Sequence, residues 1–390
     1  MPRTSLYFAA AFGVDGAVNL TLVGVPWKAI ALGATPLELG LLPAVWSVVY
    51  ILSAMAMGHL SDRAPRLMLS GFGAMVVAFG LVLLAVADTL VGMQIGLALQ
   101  ALGLAMFWPS LQASLAGAVE PARLPRNLGW FNLSWSSGKG IGFAAGGLLY
   151  ALHGFGLIAT ISATITLAIG VLLFLAPRAQ TAAGAGHGYP WPGPPMTTAP
   201  RIDPAKAAAF LAAAWVANGV AYGVVATLAY HYPKFLEAQG FRSAHFGFFL
   251  GGTYLSQTLM FALLMRTEKW HFRRGGLYLM HAALALVLLL LPRVHAPALQ
   301  LALAPIIGAC LGLAYYSSIY YSLHAAARPG RNTGRHEAII GSGVLLAPPI
   351  GGWLATATGQ LAAPYWLCAA LSLLAIGGEQ WLLGRRRSAT

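Results

Sequence analysis

Charged residues are scarce in this sequence. Only 8% of its 390 residues are Asp, Glu, Lys or Arg, whereas 58% are hydrophobic. An ordinary soluble domain carries about 25% charged residues, so this composition excludes a water-soluble globule. It also excludes an intrinsically disordered chain, which would be polar and strongly charged. The class that remains is an integral membrane protein.

Cysteine is scarcer still, with only two residues, Cys310 and Cys368. Both lie within apolar stretches, which excludes a disulfide-stabilised scaffold and favours small core residues over redox groups. The histidines show no metal-ligand spacing, and no phosphate-binding Gly-x-x-x-x-Gly-Lys-Ser/Thr loop is present. We therefore expect no metal, no cofactor, no ATP-driven pump and no enzyme.

Positive charge exceeds negative charge, with 23 Lys and Arg against 10 Asp and Glu. The cations stand singly or in small groups between long apolar runs, which is typical of topology signals and not of a nucleic-acid surface. If the N-terminus is cytoplasmic, 18 of the 23 cations fall on that side. We expect both termini in the cytoplasm and the chain in a bacterial-type inner membrane.

Long apolar runs account for most of the chain, and each is close to the ~20 residues that a bilayer-spanning helix needs. The runs are continuous and do not alternate, which favours helices over a barrel. Twelve spans are predicted: 5–26, 37–57, 67–86, 90–115, 128–150, 155–176, 205–232, 243–265, 275–292, 297–325, 336–358 and 362–383.

Residues 177–204 interrupt these runs with seven prolines among Gly, Ala and Thr. Such a stretch cannot continue a helix and buries little apolar surface. We interpret it as a cytoplasmic linker between an N-terminal six-helix bundle, residues 1–176, and a C-terminal one, residues 205–390, which ends in a short basic tail.

The two halves repeat one another. A segment that begins at Asn127 and contains Gly129 recurs 205 residues later, where Asn332 and Gly334 take the same places. Gly33 and Gly40 are echoed more weakly by glycines 207 residues further on. Pseudo-symmetric bundles with a binding site between them are the architecture of a secondary transporter.

The predicted loop after the second span reads Gly58-His-Leu-Ser-Asp62-Arg63-Ala-Pro-Arg66-Leu67. It resembles the loop signature of the major facilitator superfamily, Gly-x-Leu-Ala-Asp-Arg-x-Gly-Arg-Arg. The resemblance implies twelve helices in two bundles that rock about a central site, with Gly58, Asp62, Arg63 and Arg66 as a gating latch. The alternative is an ordinary loop whose charges only orient the chain.

The fifth span carries a second resemblance. Gly138, Gly142 and Gly146 follow the spacing of the superfamily's antiporter signature, although Phe143 replaces the proline. The eleventh span keeps Pro348 of that signature, together with Gly343. The motifs are therefore most similar to antiporters of drugs and organic solutes. The alternative is that all these small residues and Pro348 serve helix packing.

Ionisable residues inside a bilayer are functional candidates. Asp15 and Lys139 lie about ten and eleven residues into their spans, so at ~1.5 Å per residue they reach similar depths and can meet. Either they form a permanent structural pair, or Asp15 carries a proton and Lys139 binds an anionic group. Glu337 is either a second proton-coupling group or a favourable first-turn charge beside a solvated His336.

The superfamily resemblance implies a cavity lined by the first, fourth, seventh and tenth helices. Aromatic rings with polar tips in such a cavity suit an amphipathic organic molecule. Some of these rings have the alternative role of anchoring helices at the membrane interface. The candidate substrate-binding residues are Asn19, Trp108, Gln112, Asn132, Trp135, Lys139, Trp215, Asn218, Tyr222, Tyr254, Tyr316 and Tyr320.

The sequence thus predicts an all-α, monomeric secondary transporter in the lipid bilayer, with a small-molecule substrate and no nucleic-acid partner. The first hypothesis is proton-linked export of a small amphipathic solute, with Asp15 as the proton carrier. The second is transport of an organic anion that pairs with Lys139. A third is a transporter-like sensor that moves nothing.

Overall fold

The computed structural model describes residues 3–61, 64–120, 123–176, 203–324 and 329–384. The linker predicted at residues 177–204 therefore lies almost entirely outside the described residues. The α-helices are α1 (Arg3–Leu22), α2 (Val25–Ala31), α3 (Pro36–Ser61), α4 (Arg66–Val86), α5 (Leu90–Ala118), α6 (Leu124–Leu175), α7 (Pro204–Ala238), α8 (Ser243–Leu264), α9 (Arg274–Leu290), α10 (Pro297–His324), α11 (Pro329–Thr358) and α12 (Ala363–Gly384).

Eleven helical stretches in the described part of the chain are long and apolar enough to cross a membrane. α1 and α2 together make the first of them. α6 has 52 residues, about 78 Å at ~1.5 Å per residue, whereas the hydrocarbon core is ~30 Å thick. Its backbone leaves the helical region at Gly154, with φ 77° and ψ −174°, so α6 consists of two helices joined there.

Glycines with positive φ mark matching turns in the two halves. Gly33 lies between α2 and α3, and Gly240 lies at the corresponding place between α7 and α8. Gly154 interrupts α6, and Gly359, 205 residues later, separates α11 from α12. Only glycine adopts this backbone region readily. The internal repeat of the sequence is therefore repeated in the backbone turns.

Each half is held together by glycines that let two helices approach closely. In α6, a Cβ atom added at Gly138 or Gly142 would lie within 2.3 Å of a backbone oxygen of α1. Gly146 faces the backbone of α1 in the same way, and in the second half Gly343 of α11 faces the backbone of α7. The glycine spacing therefore has a packing function within each half.

The two halves pack on each other most extensively along α6 with α8 and α3 with α11. Gly147 and Gly247 meet at the first crossing, where the Ser243 hydroxyl donates to the Gly147 carbonyl at 3.1 Å. At the second, Gly40 packs on the backbone of Pro348. Gly40 and Gly247 are 207 residues apart, so equivalent glycines make both crossings.

Candidate functional site

A buried ion pair connects α1 and α6. The Nζ atom of Lys139 lies 3.6 Å from Oδ2 of Asp15, and the two side chains are 21% and 6% exposed, respectively. Asn19 donates from Nδ2 to Oδ1 of Asp15 at 3.2 Å. The close approach of α1 and α6 at Gly138 and Gly142 brings these charges together. Because an unpaired buried charge is strongly unfavourable, the lysine and the amide stabilise the carboxylate.

The ammonium of Lys139 is also flanked by aromatic rings. Its Nζ lies 5.2 Å from the ring centroid of Trp135 and 5.1 Å from that of Tyr254, both within cation–π range. Tyr254 stacks on Phe143, with ring centroids 5.2 Å apart. Tyr254 belongs to α8, so Lys139 lies between the two halves of the chain.

Further aromatic residues extend this environment into α7, α8 and α10. The Trp135 ring lies 5.9 Å from Phe261 and 5.6 Å from Tyr315, and Tyr315 lies 6.1 Å from Tyr222. The indole of Trp135 donates to Oδ1 of Asn132 at 2.9 Å. These contacts define the central chamber: Asp15 and Lys139, with the rings of Trp135, Phe143, Tyr222, Tyr254, Phe261 and Tyr315 around them.

Glu337 approaches the same chamber from α11. Its side chain is exposed, and its carboxylate is close enough to interact electrostatically with the hydroxyls of Tyr50 and Tyr315. Asp15 interacts with the same two hydroxyls. The two acidic residues therefore reach a common set of tyrosines from opposite halves.

His336 is not solvated, contrary to the expectation from the sequence. It is fully buried, and its Nδ1 lies 2.7 Å from the hydroxyl of Ser318 and 3.4 Å from Nδ2 of Asn218. Tyr315 packs against its ring at 5.0 Å. The helical phase explains this, since Glu337 is one position further and points about 100° away. His336 and Asn218 join α7, α10 and α11.

Three aromatic candidates pack near the α8–α9 connection, and one of them, Tyr316, also lies 5.9 Å from Phe261 of the central chamber. The Trp215 indole donates to the Ser322 hydroxyl at 3.1 Å. The Tyr316 ring lies 5.8 Å from Trp270, and the Tyr320 hydroxyl lies 3.2 Å from Nδ1 of His271. On α10 it is thus Tyr315, and not Tyr316 or Tyr320, that contacts Trp135.

Two candidates belong to α5. Trp108 packs edge-on against Phe107 and Phe131, with centroids 5.0 and 6.0 Å away, inside the first half. Gln112 is exposed.

In the proposed latch, Gly58 lies in α3 and Arg66 begins α4, whereas Asp62 and Arg63 fall outside the described residues.

Phe143 and Phe261 were not among the candidates because they carry no polar group. A signal was nevertheless present for Phe261, which follows Tyr254 by seven residues and therefore shares its helical face. For Phe143, the signal was that it replaces the proline of the antiporter signature. Aromatic position on a helix face, and not polarity alone, identifies the walls of the chamber.

Comparisons with known proteins identify the fold. The family model of the Major Facilitator Superfamily matches residues 7–336. No protein with a curated description matches the chain by sequence.

Several solved transporters share this architecture. A bacterial homologue of the human lysosomal transporter Spinster is 15% identical, with a TM-score of 0.67, over 98% of this chain and 97% of that one. The nucleoside transporter NupG is 13% identical, with a TM-score of 0.73, over 98% and 99%. The POT family transporter PepTSo is 13% identical, with a TM-score of 0.74, over 100% and 99%.

At sequence identities this low, the similarity to solved structures shows the fold alone. Membership of the family is shown by the match to the family model. Members of this family bind small molecules within the membrane. The chain is therefore an integral, multi-pass membrane protein with a transporter fold, and it belongs to the Major Facilitator Superfamily.

Proposed function

We propose that this protein is a secondary active transporter that moves a small amphipathic organic solute by alternating access. Twelve crossings would form two six-helix bundles, residues 1–176 and 205–390, with residues 177–204 as a cytoplasmic linker and both termini in the cytoplasm of a bacterial-type inner membrane. The matching turns at Gly154 and Gly359 support the count of twelve, because the second of them separates two crossing helices. The protein would act as a monomer.

The observation that carries this proposal is the Asp15–Lys139 pair of the first half, which lies inside the aromatic central chamber and faces Tyr254 of the second half. A proton on Asp15 would neutralise the carboxylate and release Lys139 from the pair. The freed ammonium would then interact with the Trp135 and Tyr254 rings and with the solute. Alternation between the paired and released states would couple proton movement to solute movement.

Glu337 is proposed as the second proton-binding group. Its carboxylate is exposed and shares the Tyr50 and Tyr315 hydroxyls with Asp15. A proton could therefore pass between two acidic residues on opposite halves. We propose export as the direction of transport.

The second candidate function is transport of an organic anion. Lys139 is more exposed than Asp15, at 21% against 6%, so its ammonium is the more accessible charge. The neighbouring rings of Trp135 and Tyr254 would pack on the apolar part of the anion, while Lys139 pairs with its acidic group.

A pH-gradient assay in liposomes tests the proton role. A stabilisation screen of the purified protein against a chemically varied library first identifies a solute. We expect Asp15→Asn to lose pH-gradient-driven accumulation of that solute by at least about tenfold, yet to keep solute exchange without a gradient, because Asn imitates the protonated carboxyl. Asp88→Asn, at an exposed acid between α4 and α5, should behave as wild type.

Full gradient-driven accumulation by Asp15→Asn would contradict the proton role. The anion role is tested separately with Lys139→Gln. If it is correct, affinity for a carboxylate-bearing solute falls at least about tenfold while a neutral analogue binds unchanged, and the exposed Lys206→Gln control has no effect. Equal affinity of Lys139→Gln and wild type for the anion would contradict it.

A further inference from the structure

A pocket separate from the central chamber lies where the α8–α9 connection meets α10. Its volume is about 280 Å³, slightly below the ~300 Å³ at which pockets enclose drug-sized ligands. Leu264, Leu277 and Leu313 form an apolar wall, and Gly276 leaves space beside Leu313. The pocket is therefore suited to the upper part of a hydrocarbon chain.

Two cations line the same pocket. Lys269 and Arg273 are exposed, and in the described part of the chain neither forms an ion pair with a carboxylate. Residues 266–274 contain four cations and one acid, Glu268, which leaves a net charge of +3. Glu268 lies near Tyr320. This segment thus has an excess of positive charge, and no carboxylate among the described residues forms an ion pair with Lys269 or Arg273.

Packing holds the backbone between these cations in place. The Trp270 ring lies 5.0 Å from Tyr320 and 6.1 Å from Tyr321, and its indole donates to the Leu264 carbonyl at 3.3 Å. The backbone amide of Phe272 donates to the Tyr321 hydroxyl at 2.8 Å. Because the connection is anchored at Trp270 and Phe272, little ordering is needed when a ligand binds.

We propose that this pocket binds an anionic phospholipid, with its phosphate at Lys269 and Arg273 and an acyl chain along the leucine wall. The connection joins two membrane-crossing helices, so it lies at the level of the lipid headgroups, where basic pockets recognise anionic lipids. Arginine offers a forked donor that matches phosphate, and lysine adds a point charge. A soluble anion would use the cations but would leave the apolar wall uncovered. The proposal does not depend on the transported solute.

Native mass spectrometry of the detergent-purified protein, titrated with phosphatidylglycerol or phosphatidylcholine, tests this proposal. We expect saturable binding of phosphatidylglycerol and none of phosphatidylcholine. Lys269→Gln with Arg273→Gln should weaken phosphatidylglycerol binding at least about tenfold. The matched control, Arg266→Gln with Arg274→Gln, removes the same charge from the same segment outside the pocket and should change it less than about threefold. If both double variants weaken phosphatidylglycerol binding equally, the lipid is attracted by the charge of the whole segment and not bound in the pocket, and the proposal is overturned.

A second measurement uses the unmodified protein and does not depend on variant folding. A phosphatidylglycerol with a photoreactive group on its acyl chain should cross-link to peptides that contain Leu264, Leu277 or Leu313. Cross-links confined to other surfaces would overturn the proposal. Inorganic phosphate at millimolar concentration should not displace the lipid, and full displacement would identify a soluble-anion site in its place.

Discussion

At the scale of single residues, the second half contains a buried polar pair that is remote from the central chamber. His281 of α9 and Glu379 of α12 are both fully buried, with Nε2 and Oε1 3.0 Å apart. The remaining atoms, His281 Nδ1 and Glu379 Oε2, make no hydrogen bond among the described residues. The pair joins α9 and α12 through a single contact, and one polar atom of each side chain is left without a partner in the described part of the chain.

Removal of one member of this pair should destabilise the protein. We expect Glu379→Ala to lower the free energy of unfolding by about 1 to 3 kcal/mol, because His281 would lose its partner in an apolar environment. The midpoint of thermal unfolding in detergent measures the effect.

The control is the double variant His281→Leu with Glu379→Leu, in which apolar groups replace both partners. It should lie close to wild type in stability. A Glu379→Ala protein as stable as wild type would show that the contact contributes nothing.

Asp15 and Lys139 should likewise depend on each other for stability. Lys139→Gln leaves the buried Asp15 carboxylate without its cation, whereas Asp15→Asn with Lys139→Gln leaves two neutral groups. We therefore expect Lys139→Gln to lower the unfolding midpoint and the added Asp15→Asn to restore much of it. If the effects of Lys139→Gln and Asp15→Asn on stability simply add in the double variant, the two residues do not interact directly.

Which of these residues the sequence could identify depends on their chemistry. Asp15 and Lys139 stand out because charges are rare within apolar spans, and the constant helical rise predicts their depths. Neither His281 nor Glu379 is a site candidate by sequence, because neither sequence distance nor hydropathy shows that α9 faces α12. His336 and Glu337 are adjacent, yet one is buried and the other exposed, which depends on the rotation of α11.

At the scale of elements, the glycines of α6 form two faces. Gly138 and Gly142 contact the backbone of α1 within the first half, whereas Gly140 and Gly147 contact α8 of the second half. One helix thus supports the Asp15–Lys139 pair on one side and the crossing between the halves on the other. A small change in α6 packing would affect both.

Gly142→Ala should destabilise the first half. The added Cβ would lie 2.2 Å from the Gly16 carbonyl oxygen, and overpacking of this kind typically costs about 1 to 3 kcal/mol. Gly156→Ala is the control in the second helix of α6, because no other part of the protein lies within 4 Å of its Cβ position.

Thermal unfolding of the two variants in detergent makes the comparison. We expect a lower midpoint for Gly142→Ala only. Equal midpoints for both would show that α1 can move away from α6 without loss of stability.

Most element boundaries followed the sequence, but α7 continues to Ala238, six residues past the predicted end at 232, and α11 begins at Pro329, seven residues before the predicted start at 336. The break between the fifth and sixth spans was predicted at 150–155, and the turn lies at Gly154. The first span was predicted to end at residue 26, but Pro26 stands in the first turn of α2, which continues to Ala31. Proline is tolerated there because its missing N–H would have no helical partner.

At the scale of the whole molecule, the halves contact each other firmly at one end. The Nζ atom of Lys234, near the end of α7, donates to the Ala34 carbonyl of the first half at 2.8 Å. Gly352 of α11 packs on the Pro36 carbonyl beside it. In the proposed topology this end faces outward, so it must separate for the solute to pass.

The most direct test of alternating access is to prevent this separation. The double variant Ala34→Cys with Lys234→Cys would be reconstituted in liposomes and cross-linked with a bifunctional thiosulfonate, which a reductant removes. The native Cys310 and Cys368 are both buried and should not react. Ala34→Cys alone, treated in the same way, is the control.

We expect the cross-link to lower solute flux at least about tenfold, the reductant to restore the flux, and the single variant to keep its rate throughout. Undiminished flux through the fully cross-linked protein would contradict the rocking of two halves around Asp15 and Lys139.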